Sequence, residues 1–255
     1  MKTIIKNLSV ALLAGSLLTG CSSNPKDEKY NAMAANEIYQ QGVKHTRKNR
    51  FSLAVEDFEA LEARYPFGEY ADKAQLGAIY AHYLGEDYSQ ALPAADRFLR
   101  MYPRHPNVDY AYFMKGLIHF SEAVGFFSKY LPMERAERDP NPGKKALASF
   151  EHLVSHYPNS PYVENAKQRM IYLRNLVAEN ELYVARFYLK KGAYLAAATR
   201  SNYLLVHFDR APQTEEALSI MVQAYRALEL NDLANDAFFV LRHNFPQSEF
   251  VTKLA

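Results

Sequence analysis

An aromatic residue followed by proline closes one amphipathic segment after another along this 255-residue chain. The pairs are Tyr65-Pro66, Tyr102-Pro103, Tyr157-Pro158 and Phe245-Pro246, and Phe208-Asp209 is a copy without the proline. Each closes a segment carrying apolar residues such as Leu61, Phe98, Leu153, Leu204 and Leu241. Proline lacks an amide hydrogen and clashes with the preceding turn, so it stops a helix. A marker recurring in this way predicts an array of helical units, none able to bury its apolar face alone. Successive markers lie 37, 55, 51 and 37 positions apart, so the two long intervals need insertions or lengthened helices.

The units share an internal frame. Gly42, Ala54, Phe58, Leu61 and Pro66 fall at positions 8, 20, 24, 27 and 32 of a 34-residue frame starting at Ala35. Small residues at 8 and 20 let two helices approach closely, and bulky ones at 24 and 27 fill the groove to the next unit. Ala91, Phe98 and Pro103 repeat the frame, with a turn at Gly85-Glu86-Asp87-Tyr88. Gly116 with Ala146, Phe150, Leu153 and Pro158 repeats it around an insertion. Ala197 and Leu204 follow a turn at Lys191-Gly192. The last unit reads as a helix over 215–230, a turn at Asn231-Asp232 and a helix over 233–244.

Over residues 34–250 the chain resembles the tetratricopeptide (TPR) family. The resemblance implies an all-α fold: an α-solenoid of five TPR helix hairpins in a right-handed superhelix with a concave groove. An irregular all-α bundle is the alternative. Residues 34–160 would hold repeats 1–3, with an insertion at about 121–142, and 161–255 a long connecting helix and repeats 4–5. Between Pro161 and Lys191 there is no glycine or proline, which predicts one helix of about 28–30 residues, some 45 Å long.

The amino terminus carries a different signal. Lys2 and Lys6 precede an uncharged apolar run from Leu8 to Leu18, which ends in Thr19-Gly20-Cys21. This is the form of a secretory signal, and the run is too short to span a bilayer. Leu-Thr-Gly-Cys resembles the bacterial lipobox. The resemblance implies removal of residues 1–20, an S-diacylglycerol and an N-acyl chain such as palmitate on Cys21, and no further cofactor. The alternative is an ordinary signal peptide with a chance cysteine. Ser22, where an aspartate would retain the protein in the inner membrane, suggests the periplasmic face of the outer membrane. Residues 21–33 are polar and read as a flexible tether. Cys21 is the only cysteine, so an internal disulfide is excluded. Without Lys2 and Lys6, 28 Lys and Arg balance 28 Asp and Glu, which implies no general attraction to nucleic acid or membrane.

A closer match follows from Arg64-Tyr65-Pro66-Phe67-Gly68-Glu69-Tyr70, which resembles the RYPFGPY signature of the BamD (ComL/YfiO) family of outer-membrane β-barrel assembly lipoproteins. His105-Pro106-Asn107-Val108-Asp109-Tyr110, Met114-Lys115-Gly116-Leu117, Gly125-Phe126-Phe127, Arg138-Asp139-Pro140 and Tyr157-Pro158-Asn159-Ser160 resemble it too. Lys129 to Glu134 make the insertion longer than the family pattern. The resemblance implies a non-enzymatic scaffold. Its partners would be a barrel protein with POTRA domains, other assembly lipoproteins and unfolded outer-membrane protein precursors.

It also implies that Arg200 faces the barrel partner, as an alternative to a solvated helix arginine. Tyr39, Tyr80, Tyr83 and Tyr112 lie on or near first helices and are candidates for a precursor groove, since tyrosine offers flat apolar area and a hydroxyl. Packing of helix on helix is the competing reading for each. Phe126 and Phe127 are further groove candidates, with loop packing as the alternative.

Catalytic readings are weak. His152 and His156 have the i, i+4 spacing that can share a metal, but no third ligand is identifiable and the His-Glu-x-x-His pattern is absent. No Gly-x-Ser-x-Gly, phosphate-cradling loop or thiol nucleophile is present in the mature chain. A TPR lipoprotein pilotin for secretin or type IV pilus assembly is the alternative in the same class, and a periplasmic hydrolase on a helical array the alternative in another.

Overall fold

The structure, a computed structural model, describes residues 29–125 and 139–255. Phe126, Phe127 and Cys21 therefore lie outside the described residues. The chain forms two compact units, 1–85 and 86–255. Among the described residues the first unit contains α1 (Ala35–Arg47), α2 (Phe51–Arg64) and α3 (Ala71–Leu84). The second contains α4 (Tyr88–Met101), α5 (Val108–Val124), α6 (Asn141–His156), α7 (Val163–Lys190), α8 (Tyr194–His207), α9 (Thr214–Ala227), α10 (Asn231–Asn244) and α11 (Glu249–Leu254). Within each unit every helix packs on the next in sequence, and in the second α9 also meets α7 and α11. This is the TPR pattern of consecutive helices, with α11 added after the last pair.

A residue with positive φ follows each of α1, α3, α5, α7 and α9. These are Asn49, Glu86, Gly125, Gly192 and Glu229, with φ of 56°, 59°, 61°, 73° and 59°. After α1, α7 and α9 the closure has one form: the amides of Arg50, Ala193 and Leu230 donate to the carbonyls of His45, Tyr188 and Tyr225. This is the Schellman bond, which satisfies carbonyls at a helix end. It moves the last turn from its predicted place. Asn231 and Asp232 open α10, and Leu228 to Leu230 make the turn.

The aromatic markers are the C-caps of the second helices. Tyr65, Tyr102, Tyr157, Phe208 and Phe245 donate their amides to the carbonyls of Leu61, Phe98, Leu153, Leu204 and Leu241. Phe208 adopts this backbone without a following proline, so the aromatic side chain, buried at Phe208, suffices.

The frame residues make the core. Ala54, Leu61, Ala91, Phe98, Ala146, Phe150, Leu153, Ala197, Leu204 and Leu241 are fully buried. Phe58 is held between α1 and α3: a Cβ added to Gly42 or to Gly77 would come within 2.7 Å of its ring. A Cβ on Gly116 of α5 would likewise enter the Phe150 ring of α6. The helices approach so closely because these faces lack side chains.

α7 runs unbroken for 28 residues, about 42 Å. Its buried stripe is Leu173, Val177, Ala178, Glu181, Leu182 and Ala185. Of the tether expected over 21–33, residues 21–28 lie outside the described residues, and 29–33 differ from that expectation. Tyr30 is 2% exposed and belongs to the core of the first unit. Arg64 donates to the Asn31 side chain and the Tyr65 hydroxyl to the Met33 carbonyl. One buried aromatic ring is enough to fix 29–33, which composition alone presents as polar.

Alanine favours helix over glycine by about 1 kcal/mol, yet Gly42→Ala and Gly116→Ala are expected to destabilise by about 1–3 kcal/mol, because overpacking prevails. Glu229→Gly relieves a left-handed turn and is expected to stabilise by up to about 1 kcal/mol. Urea denaturation of the three variants checks both signs, and a more stable Gly116→Ala would refute the close-packing account.

Candidate functional site

Two open clefts collect the polar and aromatic side chains of the second unit. The first lies across α4, α5 and α6 and has a volume of about 480 Å³. Helical spacing places its walls: Leu92 and Asp96 on α4, Tyr112, Lys115 and His119 on α5, Lys145, Ser149 and His152 on α6. Lys115 Nζ pairs with Asp96 Oδ1 at 2.7 Å, joining α4 to α5. The Tyr112 ring lies 4.1 Å from His152 and 5.8 Å from Tyr157. His119, 4% exposed, has Nδ1 2.9 Å from Glu122 Oε2. The cleft thus offers a flat aromatic wall, two lysines and a carboxylate, which suits binding of a peptide with polar and aromatic groups.

His152 and His156, considered above as a metal pair, stack ring on ring at 4.0 Å. His156 Nδ1 donates to the His152 carbonyl at 3.0 Å. Burial, then the neighbouring His156 and Lys115 charges, hold the pKa of His152 below its usual value.

In the first unit Tyr39 is half-buried, 6.0 Å from Phe58 and 5.4 Å from Tyr70, so its ring packs in the core. Tyr80 on α3 is 41% exposed, and Tyr83, one turn on, is half-buried. Tyr80 is therefore the most open of the three.

Arg200 stands on α8 with 45% of its side chain exposed. Its Nη1 donates to Glu181 Oε2 at 3.0 Å, and Lys144 Nζ of α6 donates to Glu181 Oε1 at 2.8 Å. Glu181 itself is 1% exposed. One buried carboxylate thus ties α6, α7 and α8 together. Beside Arg200 opens the second cleft, of about 660 Å³, lined by Tyr188, Ala193, Tyr194, Leu195, Thr199 and Leu228 among others. Leu195 is 67% exposed there.

A second buried carboxylate organises the first unit. Asp57 Oδ1 accepts from Lys29, the Tyr30 hydroxyl and Gln41 at 3.1, 2.8 and 2.6 Å, and Oδ2 lies 2.5 Å from His45 Nδ1. Burial, with Asp57 accepting its proton, pushes the Tyr30 hydroxyl up to about 12, so it remains a donor. Sequence reading passed over both acids. Their signal was available: Asp57 falls in the stripe Ala54, Phe58, Leu61 and Glu181 in the stripe Val177, Ala178, Leu182, Ala185.

Removing Lys144 and Arg200 together leaves Glu181 buried and unpaired, a loss of about 3–5 kcal/mol, whereas Arg200→Ala alone leaves Lys144 in place. Chemical denaturation of Lys144→Met/Arg200→Ala against each single variant checks this; additive small losses would overturn the shared-carboxylate account. A histidine with a lowered folded pKa contributes stability above its ordinary pKa near 6.5 and loses it as pH falls through the folded value. NMR titration is expected to find His152 charging below that ordinary value, and Lys115→Met is expected to raise its midpoint; a midpoint at or above 6.5 would contradict the cleft's electrostatics.

The family model described as YfiO, outer membrane lipoprotein, matches residues 31–241. The chain is 34% identical over 252 residues to the outer membrane protein assembly factor BamD of Neisseria gonorrhoeae, covering 99% of this chain and 94% of the relative. It is 38% identical over 221 residues to the outer membrane protein assembly factor BamD of Vibrio cholerae, covering 87% and 91%. Among solved structures the TPR2AB domain of yeast Sti1 in complex with pHSP90 aligns with a TM-score of 0.42 at 13% identity, over 85% of this chain and 80% of that one.

Proposed function

Because the chain belongs to the BamD (YfiO) family of outer membrane lipoproteins, we propose that it is an outer-membrane protein assembly factor working as a non-catalytic, lipid-anchored scaffold. In this reading Cys21 carries the acyl chains that hold it at the periplasmic face of the outer membrane. The carboxy-terminal hairpins dock the POTRA domains of a barrel-shaped assembly protein, and other assembly lipoproteins join them. The amino-terminal repeats receive unfolded precursors.

The observation that carries the docking role is Arg200, half-exposed at the edge of an apolar cleft and already oriented by Glu181. A guanidinium held in place loses less freedom on meeting an acidic group, and a charge-assisted bond beside apolar area is a common anchor. The precursor role draws on Tyr112 with His152, Lys115 and Lys145, and on exposed Tyr80. Tyr39 supports the core of the first unit, and Tyr83, Phe126 and Phe127 remain groove candidates.

A mild-detergent pull-down with tagged wild type, Cys21→Ala and Arg200→Ala, read by mass spectrometry, tests this. Wild type is expected to recover a POTRA-bearing barrel protein. Arg200→Ala is expected to lower recovery about tenfold or more, as for loss of a hydrogen bond between charged groups. Equal recovery would remove Arg200 from the interface. Recovery of secretin or pilus subunits instead would overturn the assembly role in favour of a pilotin.

A further inference from the structure

The turn between α1 and α2 is the most basic stretch of the chain. It reads Lys44-His45-Thr46-Arg47-Lys48-Asn49-Arg50, and no acid occurs from Lys44 to Val55. Lys44, Arg47, Lys48 and Arg50 are all exposed. Among the described residues none of the four makes an ion pair.

Folding accounts for only part of this charge. Cations in the last turn of α1 complement the helix dipole, which covers Lys44 and Arg47. Arg50 occupies the N-cap of α2, where Ser, Thr, Asp or Asn is preferred and where the dipole opposes a cation. Its side chain makes no capping bond, and the first turn of α2 has no acid to offset it. Lys48 lies past the end of α1. Arg50 thus costs the hairpin something, Lys48 at the C-cap of α1 makes no ion pair among the described residues, and an anionic surface outside the hairpin would use both.

The position of the turn names that surface. The Arg50 amide bonds the His45 carbonyl, His45 contacts Asp57, and Asp57 holds Lys29 and Tyr30. The amino-terminal segment therefore leaves the first unit beside the basic turn. From Lys29 back to Cys21 are eight residues, a reach of at most about 28 Å. We propose that Lys44, Arg47, Lys48 and Arg50, with half-exposed Lys29, dock on the anionic phospholipid surface in which the Cys21 acyl chains are embedded. The proposal rests on the lipid-anchored reading above. The short tether keeps the turn at high effective concentration near that surface, and a basic patch is the usual second signal beside acyl chains. Anchoring then sets the orientation of the first hairpin as well as its location.

The test uses residues 21–255, the chain without its signal segment, with Cys21→Ser, so that neither the apolar run nor an acyl chain contributes. It is sedimented with vesicles of equimolar phosphatidylglycerol and phosphatidylcholine, or of phosphatidylcholine alone. Wild-type turn is expected to bind the anionic vesicles only, and to release at high salt. Each cation removed is expected to weaken partitioning about fivefold, so that Lys44→Gln/Arg47→Gln/Lys48→Gln/Arg50→Gln loses nearly three orders of magnitude. Lys190→Gln/Lys191→Gln, which removes two exposed cations elsewhere, is expected to bind nearly as wild type. Equal binding by the quadruple variant, with an unchanged thermal melt, would overturn the proposal. So would indifference of the wild-type turn to anionic vesicles, and capture of an acidic protein through these residues alone would reassign the turn to that protein. Lipidation is read separately from the mass of the mature wild-type chain, so a failure at Cys21 is distinguishable from a failure of the turn.

Discussion

Two phenylalanine rings, Phe58 and Phe150, determine how near neighbouring helices lie. Each ring presses on backbone where a glycine leaves no side chain, Gly42 and Gly77 in the first case and Gly116 in the second. At such distances the helices cannot slide without a clash, since packed interiors have little free volume. The register of each pair is thereby fixed, and with it the faces that point outward. Lys115 and His152 share one cleft because α5 and α6 are locked in register beneath them, and the Lys115–Asp96 pair brings α4 to its wall.

Electrostatic ties add specificity to that packing. Asp57 and Glu181 each interrupt an apolar stripe at helical spacing, and each is neutralised from neighbouring elements. A hydrophobic residue at either position would pack without the desolvation cost of a carboxylate. It would not select which lysine, arginine or tyrosine must lie opposite. Asp57 selects the amino-terminal segment and α1, and Glu181 selects α6 and α8.

Much of the hairpin organisation was legible in the sequence because its signals are local. Aromatic-proline pairs mark backbone that must leave the helix, and Gly42, Ala54, Phe58 and Leu61 occupy one face by spacing alone. The turn at Glu229 was displaced by three residues because its left-handed conformation comes from a Schellman closure that no turn-favouring residue announces. Residues 29–33 resembled a linker because Tyr30 is a single aromatic in a polar run, and only the tertiary core of α1 and α2 gives it a place. Arg200 was located from resemblance, but its hold on Glu181 depends on the meeting of α7 and α8 and could not be read from spacing within α8. A near-neutral balance over the whole chain likewise hid the run from Lys44 to Arg50, because net charge averages over distances far larger than the screening length of about 8 Å.

Among the described residues both clefts are open, and their walls are side chains carried on packed helices. Such sites bind through area and orientation, and each contact is weak alone. A membrane tether changes what weak contacts can achieve. In the proposed lipid-anchored state only seven residues separate Cys21 from Lys29, which would confine the first unit to a thin layer where a partner embedded in the same membrane meets it at raised effective concentration. Longer tethers dilute that effect, whereas fixing Tyr30 in the core keeps the stretch of chain from Cys21 to the first unit short. The Asp57 cluster is thus where the packing of the first hairpin and the reach of the proposed anchor become one constraint. A change that frees Tyr30 lengthens the tether and loosens α1 against α2 in the same step.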